Sequence, residues 1–427
     1  MTSCADNLRI NPDRLWESLA SMAEIGPGLR GGNNRQTLTD ADRHGRLLFQ
    51  TWCEAAGCTV GVDAIGNMFA RREGTDPEAL PVMIGSHLDT QPTGGRYDGV
   101  LGVLAGLEVV RTLDEHDIRT ARPIEIVNWT NEEGCRFAPV MLGSGVFAGV
   151  HSAEWAYSRT DVDGLRMGDE LARIGFLGTD PAGGRLPHAY LELHIEQGPI
   201  LEDEGIDIGV VTHGQGLKWL QATLTGREAH AGSTPMSKRL NAGLGAARIV
   251  ELVDEIACSH EPYGVGVVGQ LSQQPNSRNV VPGKAVLTVD FRHPEVPVLA
   301  DMEMRFRAGV ERIANELGLG FDVETIGEFA PVAFDTHLLQ RIRAAATSLG
   351  HSHRDIVSGA GHDAFWINRI APTAMIFCPC VDGLSHNEDE EIHREWAANG
   401  ANVLLRAALE TAGFHGCAPP KTTYPAQ

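Results

Sequence analysis

Apolar residues recur along the chain in two patterns, one with the period of a helix and one as short continuous runs. Leu15, Leu19 and Met22 recur at helical spacing after Asn11-Pro12-Asp13, which is a typical helix start. Short apolar runs bounded by polar residues or glycine are typical of buried strands. The first half of the chain is predicted to form helices over residues 12–25, 39–57 and 99–113, and strands over residues 82–84, 124–129 and 190–195.

This alternation of strands and helices is typical of an α/β domain with a mainly parallel sheet. From about Gly214 the pattern changes to a βαβ-type insert, with predicted strands at 219–224 and 285–291 and predicted helices at 238–258 and 299–317. The α/β pattern returns after Pro331, with a helix at 337–349, a strand at 373–377 and a closing helix at 395–412. We therefore predict a discontinuous first domain over residues 1–212 and 332–418, an inserted domain over residues 213–331 and a flexible tail over residues 419–427.

The composition of the chain argues against nucleic acids and membranes as binding partners. The chain has 427 residues, which exceeds what one hydrophobic core usually organises. Its 35 Lys plus Arg and 56 Asp plus Glu give a net charge of −21, which would repel nucleic acids and anionic membrane surfaces. We find no secretory signal, no run of about 18 apolar residues and no Cys-x-x-Cys spacing. We therefore expect a cytoplasmic protein with neither nucleic-acid nor membrane partners.

Candidate metal ligands collect where predicted strands end. A single histidine in a chain with 17 is more often a surface or core residue, but ligands of several kinds at strand ends are typical of a functional site. In the sequence GGRYDGVLG, glycines around the aspartate let the backbone pass close to a bound ion. The candidates are His87, Asp98, Glu132, Glu133, His194 and His386.

A set of imidazole and carboxylate groups favours zinc-like divalent ions over magnesium or calcium. Five ligands suffice for two ions only if one carboxylate bridges them, and Asp98 is the natural bridge for ions about 3.5 to 4 Å apart. Asp89, two residues beyond His87, would orient that imidazole. We therefore predict two divalent ions, zinc first with manganese, cobalt or nickel as alternatives, held by His87, Asp98, Glu133, His194 and His386.

The adjacent carboxylates of Glu132 and Glu133 indicate a division of labour. If both bound metal, nothing would remain to move protons, and if neither did, two buried carboxylates would repel each other. We predict that Glu133 is a ligand, and that Glu132 is the general base that later protonates the leaving nitrogen. The alternative interpretation is a solvated acidic turn.

A series of motifs in order carries a resemblance over nearly the whole chain. They are GSHLDT (85–90), GGRYDGVLGVLAGLEVV (94–110), NEEGCRF (131–137), ELHIEQGP (192–199), GREAHAGSTPM (226–236), NSRNVVPG (276–283), DFRHP (290–294), SGAGHDA (358–364) and LSHNEDE (384–390). The chain closely resembles the zinc-dependent amidases of the hydantoinase/carbamoylase family, which include N-carbamoyl-L-amino acid amidohydrolases, β-ureidopropionases and allantoate amidohydrolases. The resemblance implies a homodimer whose α/β domain, with a mainly parallel sheet, carries a binuclear metallohydrolase site, and whose insert is an α+β lid and dimerisation domain.

The resemblance implies the same five metal ligands and Glu132 as the acid/base residue. It further implies that His230 stabilises the oxyanion, which requires lid closure or a neighbouring subunit, since His230 is far in sequence from the metal motifs. Arg292 would grip a substrate carboxylate, and His362 would either assist the oxyanion or cap the following helix. Asn241 departs from the family pattern, in which many relatives have aspartate. The implied substrate-binding residues are Gln197, His230, Asn279, Arg292, Gly361 and His362.

The expected activity is metal-dependent hydrolysis of the carbamoyl C–N bond of an anionic N-carbamoyl amino acid. Products would be the amino acid, ammonia and carbon dioxide. Alternatives are an allantoate amidohydrolase, a related metallopeptidase or deacylase, and a non-catalytic binding protein on the same fold.

Overall fold

The computed structural model describes residues 7–417, which form two compact units. One unit contains the described residues up to 212, residues 334–356 and those from 360 onwards; the other contains residues 213–333 and 357–359. The predicted tail at 419–427 lies outside the described residues. Within residues 7–417, no helix is long and apolar enough to cross a membrane.

Up to residue 214 the chain alternates helices and strands, and its first two helices begin at polar caps. The side chain of Asn11 accepts hydrogen bonds from the backbone of Asp13 and Arg14, and Thr39 caps the next helix through Asp42. The helices are α1 (Pro12–Ala23), α2 (Asp40–Ala55), α3 (Val100–Glu115), α4 (Leu142–Phe147), α5 (Ala153–Tyr157), α6 (Met167–Ile174) and α7 (Ile200–Glu204). The strands are β1 (Thr59–Val62), β2 (Met68–Arg72), β3 (Val82–His87), β4 (Ile118–Thr120), β5 (Ile124–Trp129), β6 (Ala189–Ile195) and β7 (Ile208–Gly214).

The rest of the chain passes through the second unit and back to the first. Its strands are β8 (Gly216–Thr225), β9 (Ala229–His230), β10 (Val265–Gln274), β11 (Val280–Val281), β12 (Lys284–His293), β13 (Gly320–Phe329), β14 (Val332–Ala333), β15 (His353–Ser358), β16 (Thr373–Cys378) and β17 (Phe414–Cys417). Its helices are α8 (Ala242–Cys258), α9 (Val296–Leu317), α10 (Thr336–Leu349), α11 (Asp363–Ile367) and α12 (Arg394–Ala412), with 3-10 turns at Met236–Lys238 and Val381–Gly383.

The large sheet has nine strands in the order β1-β2-β5-β3-β6-β16-β7-β14, with β15 also paired to β7. Its central strands β5, β3, β6 and β16 run parallel, and every residue in them is buried. The helices α3 and α12, which also contact each other, pack against these strands, and α11 packs against β6 and β16. The predicted mainly parallel sheet is confirmed at its centre. At one edge β1 and β2 pair antiparallel, because their short connection permits no crossover.

The parallel strands place the candidate ligands at one edge of the sheet. Strand β3 ends at His87, and β6 contains His194. Glu132 and Glu133 follow β5, and His386 follows β16. Because parallel strands share their direction, these positions lie at the carboxyl ends of neighbouring strands, where sites form in open α/β sheets.

The second unit contains a four-stranded antiparallel sheet in the order β10-β12-β8-β13, against which α8 and α9 pack. Each helix joins two strands that run in the same direction with one antiparallel strand between them, so the insert is a pair of split βαβ units. Alternate residues of β8 and β12, including Leu220, Leu224, Leu287 and Phe291, form its core with α8 and α9.

The start of α8 differs from the sequence prediction. A helix from residue 238 was predicted, but α8 begins at Ala242. The reason is local, because the Asn241 side chain accepts a hydrogen bond from Leu244 N at 3.2 Å and thereby caps the helix. Residues Met236–Lys238 form a separate 3-10 turn.

Candidate metal centre

Asp98 lies at the centre of the ligand cluster, and its two carboxylate oxygens face different side chains. Oδ1 lies 3.2 Å from His194 Nε2 and 3.5 Å from His87 Nε2. Oδ2 lies 3.3 Å from His386 Nε2, and that nitrogen lies 3.4 Å from Glu133 Oε2. The five predicted ligands therefore come together as two sets that share Asp98.

The separations within each set fit a divalent ion. Two ligand atoms bound about 2.0 to 2.1 Å from a tetrahedral ion are about 3.3 Å apart. The Nδ1 atoms of His87 and His194 lie 2.8 and 2.9 Å from the backbone carbonyls of Asp89 and Ile195. A carbonyl only accepts, so each Nδ1 carries a proton. Each Nε2 faces the Asp98 carboxylate either as the donor of an imidazolium or, once deprotonated, with a lone pair that can bind a cation shared with Asp98.

The electrostatics of the cluster also favour positive charge. Burial, and then the charge of Asp98, raise the pKa of Glu133 to about 7. Burial raises the pKa of Glu132 well above its ordinary value. Burial acts in the same direction on Asp98, but the contacts with His194, His386 and His87 outweigh it and hold its pKa well below the usual range. A cation here would favour the ionised form of every carboxylate.

Asp89 contributes to the centre in a different way from the one predicted. Its carboxylate Oδ1 is 3.9 Å from His87 Nδ1, which is too long for a hydrogen bond, so the imidazole is oriented by the backbone carbonyl of Asp89. The carboxylate instead accepts from the backbone N–H groups of Glu132 and Glu133, at 3.3 Å each. Asp89 thus links His87 to the acidic turn.

Glu132 stands beside the ligands but outside both sets. Its Oε2 lies 3.5 Å from His87 Nε2, and the side chain is largely buried. The turn is closed behind it, where Met141 N donates to the Glu132 carbonyl and the side chain of Asn131 donates to the Phe137 carbonyl at 2.7 Å. This arrangement leaves one carboxylate available for proton transfer beside the ligand sets.

Three further residues support the ligands, and the sequence patterns did not point to them. Gln91 holds Glu133 with its backbone N–H, 3.0 Å from Oε1, and its side-chain amide, 2.7 Å from Oε2. Ser385 and Glu390 contact each other and the Asp98 segment. Ser385 and Glu390 lie inside the motif LSHNEDE, and Gln91 directly follows the motif GSHLDT, but loop polar residues carry no periodicity that would single them out.

Gln197 and His362 also lie at the centre. Gln197 Nε2 donates to Asp98 Oδ2 at 2.9 Å, whereas its buried Oε1 accepts no hydrogen bond from the part of the chain described. The ring of His362 lies 4.5 Å from that of His194, and burial lowers the pKa of His362 well below its usual value, so it is neutral. His362 occupies the N-cap position of α11 but makes no side-chain capping bond, which disfavours the capping alternative. Gly361 next to it is exposed.

Gly99 lets the His87 ring reach its position. The glycine has φ +68°, and a Cβ on it would lie 2.3 Å from Cε1 and Nε2 of His87. Any other residue would displace the imidazole from Asp98, so the glycine of the GGRYDGVLG motif is a packing requirement of this histidine.

The remaining predicted residues belong to the second unit. His230 is exposed in β9, and its Nδ1 accepts from the backbone N–H groups of Gly232 and Ser233, at 3.0 and 3.1 Å. In the neutral ring, Nε2 therefore carries the proton and can donate it to a ligand. Exposed Asn279 lies near this turn, since its carbonyl accepts from Ala231 N at 2.8 Å.

Arg292 is half-buried at the end of β12 and is held in place on two sides. Its Nε and Nη2 lie 3.1 and 2.9 Å from Asp290 Oδ2, and Nη1 donates to the Gly359 carbonyl at 3.0 Å. A guanidinium has five N–H donors, so donors remain for an anionic ligand.

Comparison with known proteins places the chain in a family. Residues 83–410 match Peptidase family M20/M25/M40. N-carbamoyl-L-amino-acid amidohydrolase from Rhizobium meliloti is 61% identical over 412 residues, covering 96% of this chain and 99% of that protein. Ureidoglycolate hydrolase from Arabidopsis thaliana is 33% identical, covering 94% of this chain and 86% of that protein. The crystal structure of an amidase of the hydantoinase/carbamoylase family from Burkholderia multivorans has a TM-score of 0.92 and 56% identity, covering 95% of this chain and 98% of that one.

The α/β fold and the two ligand sets together are those of a metal-dependent hydrolase. The chain belongs to peptidase family M20/M25/M40, and the resemblance to hydantoinase/carbamoylase amidases is confirmed. The prediction that the protein is an enzyme is confirmed with it.

Proposed function

We propose that the protein hydrolyses the carbamoyl C–N bond of an N-carbamoyl amino acid and releases the amino acid, ammonia and carbon dioxide. The observation that carries this proposal is the 61% identity, over nearly both full lengths, to N-carbamoyl-L-amino-acid amidohydrolase. The ligand sets and the neighbouring acid/base candidate supply what such a hydrolysis needs.

Two divalent ions complete the proposed site, with zinc first and manganese, cobalt or nickel as alternatives. His87 and His194 would hold one, Glu133 and His386 the other, and Asp98 both. When bound, the ions lower the pKa of water and polarise the ureido carbonyl.

Glu132 is the proposed acid/base residue. Its carboxylate takes the proton from the attacking water and delivers it to the leaving nitrogen, so that the carboxylate returns to its starting state. A carboxylate whose pKa is raised by burial holds a proton well enough to carry it between these two steps.

Recognition of the ureido group and its oxyanion rests on oriented polar groups. The unpartnered Oε1 of Gln197 suits a ureido N–H, because its Nε2 is already committed to Asp98. The N–H on Nε2 of His230 is a donor for the oxyanion of the tetrahedral intermediate. Gly361 and His362 complete the proposed substrate contacts in the first unit.

Recognition of the substrate carboxylate is assigned to the second unit. Arg292 offers it a fixed cation in a chain with a net charge of −21, and Asn279 adds a hydrogen bond. In this proposal the second unit acts as a lid and carries residues that complete the site.

The second unit is also the proposed dimerisation domain of a homodimer. Strand β10 forms an edge of its sheet and exposes Val265, Val267 and Leu271 to between 49% and 55%. An exposed apolar edge strand is a template for pairing with another chain, and a second copy satisfies both its backbone and its side chains.

Substrate class is tested by measuring ammonia release from N-carbamoyl-α-amino acids, N-carbamoyl-β-alanine and allantoate. Turnover of an N-carbamoyl amino acid is expected. Allantoate is the second candidate, because the resemblance includes allantoate amidohydrolases and a 33% identical relative is a ureidoglycolate hydrolase. Activity on allantoate alone would make allantoate the substrate in place of an N-carbamoyl amino acid. Inactivity on all three compounds would contradict the proposal that the substrate is a ureido compound of this class.

A further inference from the structure

Glu390 is a buried carboxylate beside the metal centre that neither the ligand sets nor the proposed chemistry uses. It is 3% exposed, and within residues 7–417 no basic side chain pairs with it. Its Oε1 accepts from the backbone N–H groups of Tyr97 and Asp98, at 3.0 and 3.1 Å. Its Oε2 lies 2.9 Å from the hydroxyl of Ser385. One carboxylate therefore joins the segment of the shared aspartate to the segment of His386.

The hydrogen atoms in this cluster have a consistent assignment. Ser385 Oγ also lies 3.1 Å from Asp98 Oδ2, but its single proton serves one acceptor at a time. Gln197 Nε2 lies 2.9 Å from Asp98 Oδ2 and 3.1 Å from Ser385 Oγ, and both acceptors take hydrogen bonds from it. Asp98 is then supplied by Gln197, and the hydroxyl of Ser385 is free to donate to Glu390. The chain of contacts fixes the direction in which Asp98 Oδ2 points.

A second buried carboxylate in the loop that carries His386 also accepts a backbone hydrogen bond from a neighbouring loop. Glu388 is also buried, and it accepts from Arg30 N in the loop at residues 28–32. His386 itself has a side chain that is 53% exposed and a backbone φ of +53°, so little of its own packing orients it. Two buried carboxylates therefore anchor the loop, and only the one at Glu390 reaches a metal ligand.

Close packing around Glu390 also indicates a defined position. A Cβ on Gly95 would lie 2.0 Å from the Glu390 carboxylate, so the glycine lets the turn before Asp98 close onto it. Burying an ionisable group without a basic partner is costly, so the hydrogen bonds that Glu390 accepts must offset that cost.

We propose that Glu390 is a positioning residue that holds the Asp98 and Ser385–His386 segments in register, so that Asp98 and His386 face the same ion. This inference rests on the metal site proposed above. Residues that orient ligands from behind typically contribute 10- to 100-fold to metal affinity. Glu390 touches neither an ion nor the substrate in this account.

The test compares Glu390→Gln with Glu388→Gln in the full-length protein. Both remove one buried negative charge from the same loop, but only the first touches the Asp98 and Ser385 segments. Affinities for Zn²⁺ and Mn²⁺ are measured by competition with a chromophoric chelator, and the visible spectrum of the Co²⁺ form reports ligand geometry. Thermal unfolding of chelator-treated protein measures the structural effect of each substitution alone.

Glu390→Gln is expected to weaken metal binding by about 10- to 100-fold and to change the Co²⁺ spectrum, while Glu388→Gln binds like the parent. Equal weakening in both variants, or parental affinity in Glu390→Gln, would overturn the inference. If Glu390→Gln does not fold, Glu390→Asp replaces it, because it keeps the charge but shortens the reach to Tyr97 N and Asp98 N; a weaker affinity is expected, and an unchanged one would contradict the inference. A parent protein that binds no divalent ion would defeat the proposed metal site itself, which is a different result.

Discussion

At the scale of single residues, the clustering of the proposed ligands is predictable from sequence, and the residues that support them are not. His87, Glu133, His194 and His386 follow from strand ends, because neighbouring parallel strands bring their carboxyl ends to one edge of the sheet. Gln91 and Glu390 act through contacts between loops that are distant in the chain, and no local pattern marks such partners. The sequence also shows that Asp89 is close to His87, but it does not show that the backbone carbonyl of Asp89, rather than its carboxylate, contacts the imidazole.

The neighbouring glutamates give a prediction with an internal control. Glu132→Gln should lower kcat by about 10²- to 10⁴-fold, since the proton carrier is lost, and should retain the metal content of the parent. Glu133→Gln should lower the metal content, because a ligand of the second set is lost. Metal analysis by atomic absorption and steady-state kinetics measure both effects. Near-parental turnover in Glu132→Gln would remove it from the acid/base role.

Arg292 gives a prediction about binding. A lysine cannot reproduce the two-pronged contact of guanidinium with carboxylate, so Arg292→Lys should weaken substrate binding by about 1.5 to 3 kcal/mol, or roughly ten- to hundredfold in KM. Arg248→Lys is the matched control, because Arg248 pairs with Glu316 on the surface of the second unit. A KM in Arg292→Lys equal to that of the control would argue for another carboxylate partner.

At the scale of elements, strong periodicity and continuous apolar runs were sufficient for the helices and the central strands. Strands β10 and β13 were not predicted; they form the two edges of the four-stranded sheet, and most of their residues are exposed. Strands β1 and β2 are short and lie at the sheet edge, where pairing is decided by their connection. The start of α8 was wrong because the cap at Asn241 determines it.

The cap of α8 can be tested by substitution. Asn241→Ala removes the acceptor for Leu244 N and should lower the free energy of unfolding by about 1 kcal/mol. Asn241→Asp should keep the cap while adding a negative charge, which is favourable at a helix N-terminus. Urea unfolding measures each change. Asn315→Ala, at an exposed position on α9, controls for general effects, and a loss equal to that of Asn241→Ala would contradict the capping role.

At the scale of the whole molecule, the chain builds two units that fold around separate cores. The start of the insert near Gly214 was visible in sequence, because the alternation of short apolar strands and helices gives way there to the longer strands and helices of a βαβ-type pattern. The assignment of residues 357–359 to the second unit was not visible, because three residues carry no pattern of their own.

The proposed dimer gives a prediction at this scale. Sedimentation should report a mass near twice 46.0 kDa for the parent, and Val267→Lys should shift it towards the monomer, since a charge on an edge strand opposes pairing. Val162→Lys is the control, because Val162 is 99% exposed in the first unit. If Val267→Lys and Val162→Lys both sediment as dimers, the dimer interface does not include strand β10.

The missing side chain at Gly99 affects how tolerance to mutation is distributed along the sequence. The imidazole of His87 fills the volume that any larger residue there would occupy. A library that samples every amino acid at every position should therefore find Gly99 as intolerant as the histidine itself, although it offers no reactive group. Ranking positions by chemical reactivity would overlook this constraint, because the property required at position 99 is the absence of a side chain.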